Sequence, residues 1–177
     1  MNVPDEVRLT GEGLVLREWT EDDLPAMAAL FDDPAVARFT PLVTPFDDQA
    51  AKAYLAKARR GRAEGKRLHL AITEDGEKPL GEVLMFHGKD GDTPGLELGY
   101  SVGSAYRGRK LAARALRVLT AYARELGFDD LELVIEAENP GSQGVARSAG
   151  YHLTDSPPQL LTEKGREITL YRWVHRP

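Results

Sequence analysis

Apolar residues along this chain follow two periods, and the places where one gives way to the other outline its elements. The run Leu14-Val15-Leu16-Arg17 is strand-like. It is followed by Thr20, a helix-capping residue type, and by Glu21-Asp22-Asp23, which suit the positive end of a helix dipole. Leu24, Met27, Ala28 and Phe31 then recur at three and four residues, predicting a helix that stops near Asp32-Asp33-Pro34, since proline restricts the residue before it. A second helix is expected after Pro45-Phe46-Asp47, carrying Ala50, Ala53, Tyr54 and Ala58 and ending at the basic segment Arg59-Arg60-Gly61-Arg62.

The period then shortens. Leu68, Leu70 and Ile72 alternate with His69 and Ala71, Glu74-Asp75-Gly76-Glu77 has turn chemistry, and Pro79 to Phe86 reads as a returning strand. A loop over residues 89–95 leads to a third strand, Leu96 to Val102, so three antiparallel strands in meander order are predicted. From Tyr106 to Leu126 the helical period is strong: Leu111, Ala115, Val118, Tyr122 and Leu126 form one stripe, closed by Gly127. A strand at Leu131 to Ile135, a helix from Ser142 to Ala149, a short run Tyr151 to Leu153 and a last strand at Ile168 to Val174 complete the pattern. Without a repeat or linker, residues 1–177 read as a single α+β domain with a mostly antiparallel sheet.

Composition narrows the chemistry. The 177 residues contain no cysteine, which removes disulfides, thiolate metal sites and a cysteine nucleophile. The four histidines, His69, His87, His152 and His175, have no ligand spacing, so no metal is expected. The net charge of −5 argues against nucleic acid as a partner. No apolar run is long enough to span a bilayer and the N-terminus is not signal-like, so a cytoplasmic protein with no membrane partner is expected, as monomer or homodimer. Trp19 and Trp173 read as packing residues.

The segment Leu96 to Leu116 carries the chemical signal. A strand runs into Arg107-Gly108-Arg109-Lys110-Leu111-Ala112, which opens a long helix. N–H groups at a helix start have no intrahelical partner, and Gly108 lets the backbone bend so that several converge on an anion. The segment fits neither the Walker pattern nor the dinucleotide fingerprint. Arg107, Lys110, Arg114 and Arg117 recur at helical spacing, either beside phosphates or as a solvated face.

Here the chain resembles the GNAT superfamily, whose pyrophosphate turn reads R/Q-x-x-G-x-G/A: Arg107, Leu111 and Ala112 stand in register after Gly99-Tyr100-Ser101-Val102. Glu138-Asn139-Pro140-Gly141-Ser142-Gln143, followed by Val145, Ala146, Gly150 and Tyr151, is similar to the N-x-x-S…G-[FY] block of the RimJ/RimL-type branch, which acetylates ribosomal-protein N-termini. Leu14 to Arg17 followed by Glu21 to Leu24 looks like that branch's first strand and helix. Three departures stand out: Lys110 replaces the usual glycine of the turn, Ala113 and Arg114 replace a hydroxyl and a glutamate, and Gly144 lies inside a helix. Lys110 either crowds the phosphates or adds a charge to them.

The resemblance implies an acyl-CoA N-acyltransferase fold, a mixed and mostly antiparallel central sheet flanked by helices. It implies acetyl-CoA as co-substrate, a primary-amine acceptor (a peptide N-terminus or a small molecule) and direct attack without an acyl-enzyme. Cofactor contacts would come from Tyr100, Ser101, Val102, Arg107, Gly108, Arg109, Lys110, Leu111, Ala112, Ala113, Asn139 and Ser142. The strand would splay from its neighbour at a bulge near Gly99, where a backbone N–H polarises the thioester carbonyl. Glu97 would be the base and Ser142 the donor to the departing thiolate, with N-capping as the competing role for Ser142 and an Asn-Pro turn for Asn139. Arg38, Phe39 and Phe86 would shape the acceptor site, over a loop from Asp33 to Phe46. The altered turn leaves an alternative, a non-catalytic acyl-CoA-binding regulatory module with a degenerate GNAT site.

Overall fold

The apolar strand faces and helix stripes are buried together in one sheet with helices on both sides. The structure, a computed structural model, describes residues 1, 3–4, 6–87 and 95–176. In chain order the elements are β1 (Arg8–Gly11), β2 (Leu14–Glu18), α1 (Leu24–Phe31), α2 (Pro34–Phe39), α3 (Asp48–Ala63), β3 (Arg67–Thr73), β4 (Gly81–His87) and β5 (Leu96–Val102). Then come α4 (Leu111–Glu125), β6 (Leu131–Glu136), α5 (Pro140–Ser148), β7 (Tyr151–Leu153), β8 (Gln159–Glu163) and β9 (Arg166–His175). The nine strands run in the order β1-β2-β3-β4-β5-β6-β9-β7, with β8 also on β9. The β5–β6 pair is parallel and the other pairings are antiparallel.

One sheet face buries Leu68, Leu70, Ile72, Val83, Met85, Leu96 and Leu98 against Leu111, Ala115, Leu116 and Leu119 of α4, with Trp173 in the same cluster. The opposite face carries a smaller core in which Trp19, Met27, Phe31, Phe46 and Leu55 pack with Ala71. Both tryptophans are core residues, as expected. The second core also holds a polar knot. Glu82, 2% exposed, accepts from Trp19 Nε1 at 2.9 Å and from the Tyr54 hydroxyl at 2.6 Å. The Tyr54 oxygen in turn lies 3.0 Å from His69 Nδ1.

Several expected boundaries move. Strands β1 and β8 and helix α2 are additional, and β9 is longer than the expected Ile168 to Val174. Asp33-Pro34, read as a stop, is also a start: Asp33 accepts from the N–H groups of Ala35 and Val36, and Pro34 occupies the first helical position. Helix α3 continues through the basic segment to Ala63, and Arg59 and Arg62 pair with Glu21 and Glu18 of the same chain. The loop over residues 89–95 lies, apart from Gly95, outside the described residues. Among the described residues no helix is long and apolar enough to cross a membrane.

Arg17 ties the start of α1 to the sheet. Its guanidinium donates to both carboxylate oxygens of Asp23, at 2.7 and 2.8 Å, and to the carbonyls of Gly76 and Glu77. Burial opposes ionisation of Asp23, but the Arg17 hydrogen bonds and the N–H and O–H of Thr20 outweigh it and hold the carboxyl below its ordinary value. A depressed folded-state pKa means this stability is full above the unfolded value of about 3.9 and is lost as pH falls through the lower folded value. Tm measured against pH should therefore drop below about pH 4, and less steeply in Asp23→Asn.

Candidate active site

The turn between β5 and α4 is built from left-handed residues alternating with ordinary ones. A short 3-10 segment, Ser104–Tyr106, leads to Arg107 in extended conformation. Gly108 then has φ +80° and Lys110 φ +59° before α4 begins at Leu111. The expected start of the helix at Tyr106 is thus corrected: residues 107–110 form the turn instead, and α4 begins at Leu111. The alternation swings successive N–H groups toward one side, and those of Leu111, Ala112 and Ala113 add the unpartnered first turn of a helix. A Cβ at Gly108 would meet no atom within 4 Å, so open space lies beside the turn. Lys110 takes up the left-handed conformation that glycine adopts most readily.

The arginines divide. Arg107 donates from Nε to the Val102 carbonyl at 3.2 Å and from Nη2 to Asp33 at 3.1 Å, which links the turn to the cap of α2. Burial opposes ionisation of Asp33, but Arg107 and the N–H groups of Val36 and Ala35 keep its carboxyl below the ordinary value. Arg109 pairs with Glu74 at 2.6 Å. Arg114 and Arg117 bind Glu12 and Gly13 at the β1–β2 turn, and Arg117 also the Ser148 carbonyl at the end of α5, so of the four-residue basic stripe, read as lying either beside phosphates or on a solvated face, Arg107 and Lys110 stand at the turn. The ammonium of Lys110 makes no ion pair with any described residue.

Beside this turn the sheet forks. Strands β5 and β6 pair only at Leu96↔Leu131 and Glu97↔Glu132. Beyond them β5 runs on to Val102 against β4, and β6 runs on to Glu136 against β9. The inner edges of Leu98–Val102 and Leu133–Glu136 thus face a gap with backbone groups unpaired across it. The expected splay is present. The expected bulge is absent from the β4–β5 ladder: that register passes unbroken through Leu84↔Gly99, so the parting arises from the β5–β6 side alone.

Helix α5 closes the far arm of the fork. Its cap is Asn139, whose side-chain oxygen accepts from Ser142 N at 3.0 Å, with Pro140 at the first helical position. Ser142 therefore lies inside the first turn and does not cap the helix, and its hydroxyl makes no hydrogen bond with a described residue. The Tyr100 hydroxyl donates to the Ser142 carbonyl at 2.7 Å. Burial raises the pKa of that phenol, so it stays a proton donor.

On the opposite sheet face, Glu97 sits at the last β5–β6 pair, next to Phe86 on β4. Arg38 and Phe39 lie on α2 rather than in a loop: the Arg38 guanidinium is 5.2 Å from the Phe39 ring centroid and 2.6 Å from Glu138. Sequence reasoning missed what holds α2 there. Lys164, at the β8–β9 turn, donates to the carbonyls of Ala37, Thr40 and Leu42, and Arg166 bonds Glu136 at 2.5 Å and the Arg38 carbonyl at 3.3 Å. Gly165 was the local signal available in the sequence for this hairpin, in which Lys164 and Gly165 both have positive φ. The structure thus joins β5 to the first turn of α5 through the Tyr100–Ser142 bond and sets the turn at the end of β5, while Glu97 and Phe86 pair on the opposite sheet face and Arg38 ties α2 to Glu138.

Comparison with known proteins matches this geometry. Residues 13–152 match the family described as "Acetyltransferase (GNAT) domain". No curated protein matches the chain. Among solved structures, RimL, a ribosomal L7/L12 alpha-N-protein acetyltransferase, superposes with TM-score 0.83 at 15% identity over 99% of each chain. RimJ from Mycobacterium smegmatis, in complex with CoA-disulfide, has TM-score 0.76 at 19% identity over 96% of this chain and 86% of that one. The ribosomal-protein-S5-alanine acetyltransferase from Vibrio fischeri has TM-score 0.75 at 17% identity over 96% and 97%. At such identities the likeness carries the fold; the family match, which spans most of the sequence, carries the class of enzyme. The chain belongs to the GNAT acetyltransferase family.

Proposed function

We propose that this enzyme moves an acetyl group from acetyl-CoA to a primary amine, either a peptide N-terminus or a small molecule, by direct attack in a ternary complex. The observation that carries the reading is the fork itself: unpaired strand edges opening beside a turn of converging N–H groups, with a carboxylate on one side and an unengaged hydroxyl on the other. When bound, acetyl-CoA supplies an activated acyl carbon and a thiolate leaving group.

The roles follow from placement. N–H groups from Gly108 to Ala113, with Arg107, Arg109 and Lys110, hold the pyrophosphate. The free edge of Tyr100, Ser101 and Val102 pairs with the pantetheine amides, and a backbone N–H at Gly99 or Tyr100 stabilises charge on the carbonyl oxygen. Asn139 spends its side-chain oxygen on Ser142 N and keeps its amide N–H groups for the same arm. Glu97 removes the proton from an alkylammonium whose pKa is about 10, directly or through water. The Ser142 O–H gives a proton to the departing sulfur and is restored by the proton that the attacking nitrogen sheds as the C–N bond forms and the C–S bond breaks. Phe86, Arg38 and Phe39 border the acceptor. Lys110 takes the left-handed conformation that glycine adopts readily, which weakens one of the two features behind the degenerate-site alternative, the other being Ala113 and Arg114.

Calorimetric titration with acetyl-CoA and with free CoA tests the reading. Wild type should bind near micromolar, about −8 kcal/mol, and Arg107→Ala about 10-fold more weakly. Lys110→Gly should separate backbone from charge: relief of the left-handed lysine raises stability by up to about 1 kcal/mol, whereas loss of the ammonium weakens binding by about 3-fold. Absence of CoA binding by wild type would sink the reading. Binding without turnover across a broad panel of amines would favour the regulatory module.

A further inference from the structure

Ser142 is held by both of its backbone polar atoms while its hydroxyl makes no bond with a described residue. The N–H is taken by Asn139 from its own loop. The carbonyl is taken from the other arm of the fork, by the Tyr100 hydroxyl, across 42 positions of sequence. Tyr100 sits three residues past the last β5–β6 pair, where the strands have already parted and no ladder holds them in register. Its ring packs against the main core, to which α4 and α5 both contribute side chains. A carbonyl oxygen has two lone pairs, so this bond is compatible with the ordinary helical bond of α5.

We propose that Tyr100 is a positioning residue: its hydroxyl, donated across the fork to the Ser142 carbonyl, fixes the first turn of α5 relative to β5 and so aims the Ser142 hydroxyl at the leaving sulfur. The inference rests on the acetyl-transfer reading above and deepens it, since the Tyr100 hydroxyl acts through Ser142, while the contacts assigned above to Tyr100 are made by its backbone and are kept in Tyr100→Phe. A rigid two-sided tether matters here because proton donation to a thiolate requires the donor within hydrogen-bond reach at the moment the C–S bond breaks. The half-buried phenol, kept protonated by its surroundings, is suited to a permanent donor and not to a titrating one.

The test is a double-mutant cycle with Tyr100→Phe, Ser142→Ala and the double variant, read by steady-state kinetics and by CoA titration of each protein. Tyr100→Phe should lower kcat about 3- to 10-fold, the worth of one hydrogen bond, with the KM for acetyl-CoA and the Kd for CoA within about 2-fold of wild type. Ser142→Ala should lower kcat by about 10-fold or more, and adding Tyr100→Phe to it should cost nothing further, because the two act as one unit. Multiplying effects in the double variant, a kcat unchanged by Tyr100→Phe, or loss of CoA binding in Tyr100→Phe would each overturn the proposal, the last by making Tyr100 a binding or packing residue. If Ser142→Ala alone turns over like wild type, the Ser142 role fails and the proposal falls with it. That failure is distinguishable because it is read with Tyr100 intact.

Discussion

Glu97→Gln is expected to lower kcat/KM at pH 7 by about 10²- to 10³-fold while CoA affinity stays within about 2-fold of wild type. The size follows from the acceptor. An alkyl amine of pKa about 10 is free in only about one part in a thousand at pH 7, and attack requires the free amine. A base beside the reacting nitrogen removes that handicap within the complex. Without it the reaction depends on the fraction already deprotonated in solution, so the rate should climb about 10-fold per pH unit. The deficit against wild type should then shrink steadily as pH approaches the pKa of the amine. Position singles out Glu97 among the acidic groups of this face. It lies at the last β5–β6 pair, where the two strands part, on the sheet face that carries Phe86. A pH–rate profile checks the prediction: parallel profiles for wild type and Glu97→Gln, with no loss at pH 7, would remove Glu97 from the mechanism. Loss of CoA binding together with rate would make it a packing residue.

What the sequence made legible was whatever repeats. The stripe of α4 and the alternation of β3 to β5 bury enough apolar surface to impose one register, and they stand where the periods placed them. Strand β8 was hidden because it is an exposed edge: Leu160 is 74% exposed, so burial leaves no alternation to read. Strand β1 spans only four residues, too few to establish a period. The start of α4 was misplaced because basic residues at helical spacing imitate a helix, and lysine seldom takes the left-handed conformation seen at Lys110. Asn139 and Ser142 are both capping residue types three positions apart, and Pro140 in the first helical position decides for Asn139. The fork itself was expected from resemblance alone. A parallel pairing that stops after two residues, and a hydroxyl that bridges the gap, depend on where distant segments meet.

The same alanine substitution should have opposite effects at two glycines, and the difference bears on the site. At Gly81, a Cβ would stand 2.3 Å from the Ser101 carbonyl oxygen and 3.0 Å from the Val102 Cα. Both are backbone atoms of a strand paired along its whole length with β4, so neither gives way cheaply. Gly81→Ala should therefore destabilise by about 3 kcal/mol. The displacement has one direction open to it, since β5 is unsupported on its other side past Glu97. Ser101 and Val102 would be pushed into the fork, against the edge proposed to receive pantetheine. CoA binding should weaken at temperatures where the variant is still folded. At Gly144, inside α5, a Cβ would meet nothing within 4 Å, so Gly144→Ala should stabilise by about 0.5–1 kcal/mol through helix propensity. Thermal unfolding paired with CoA calorimetry on both variants reads the two effects separately. If Gly81→Ala loses stability but binds CoA like wild type, the strain is absorbed within β4, and the inner edge of β5 at Ser101–Val102 is not where the cofactor arm lies.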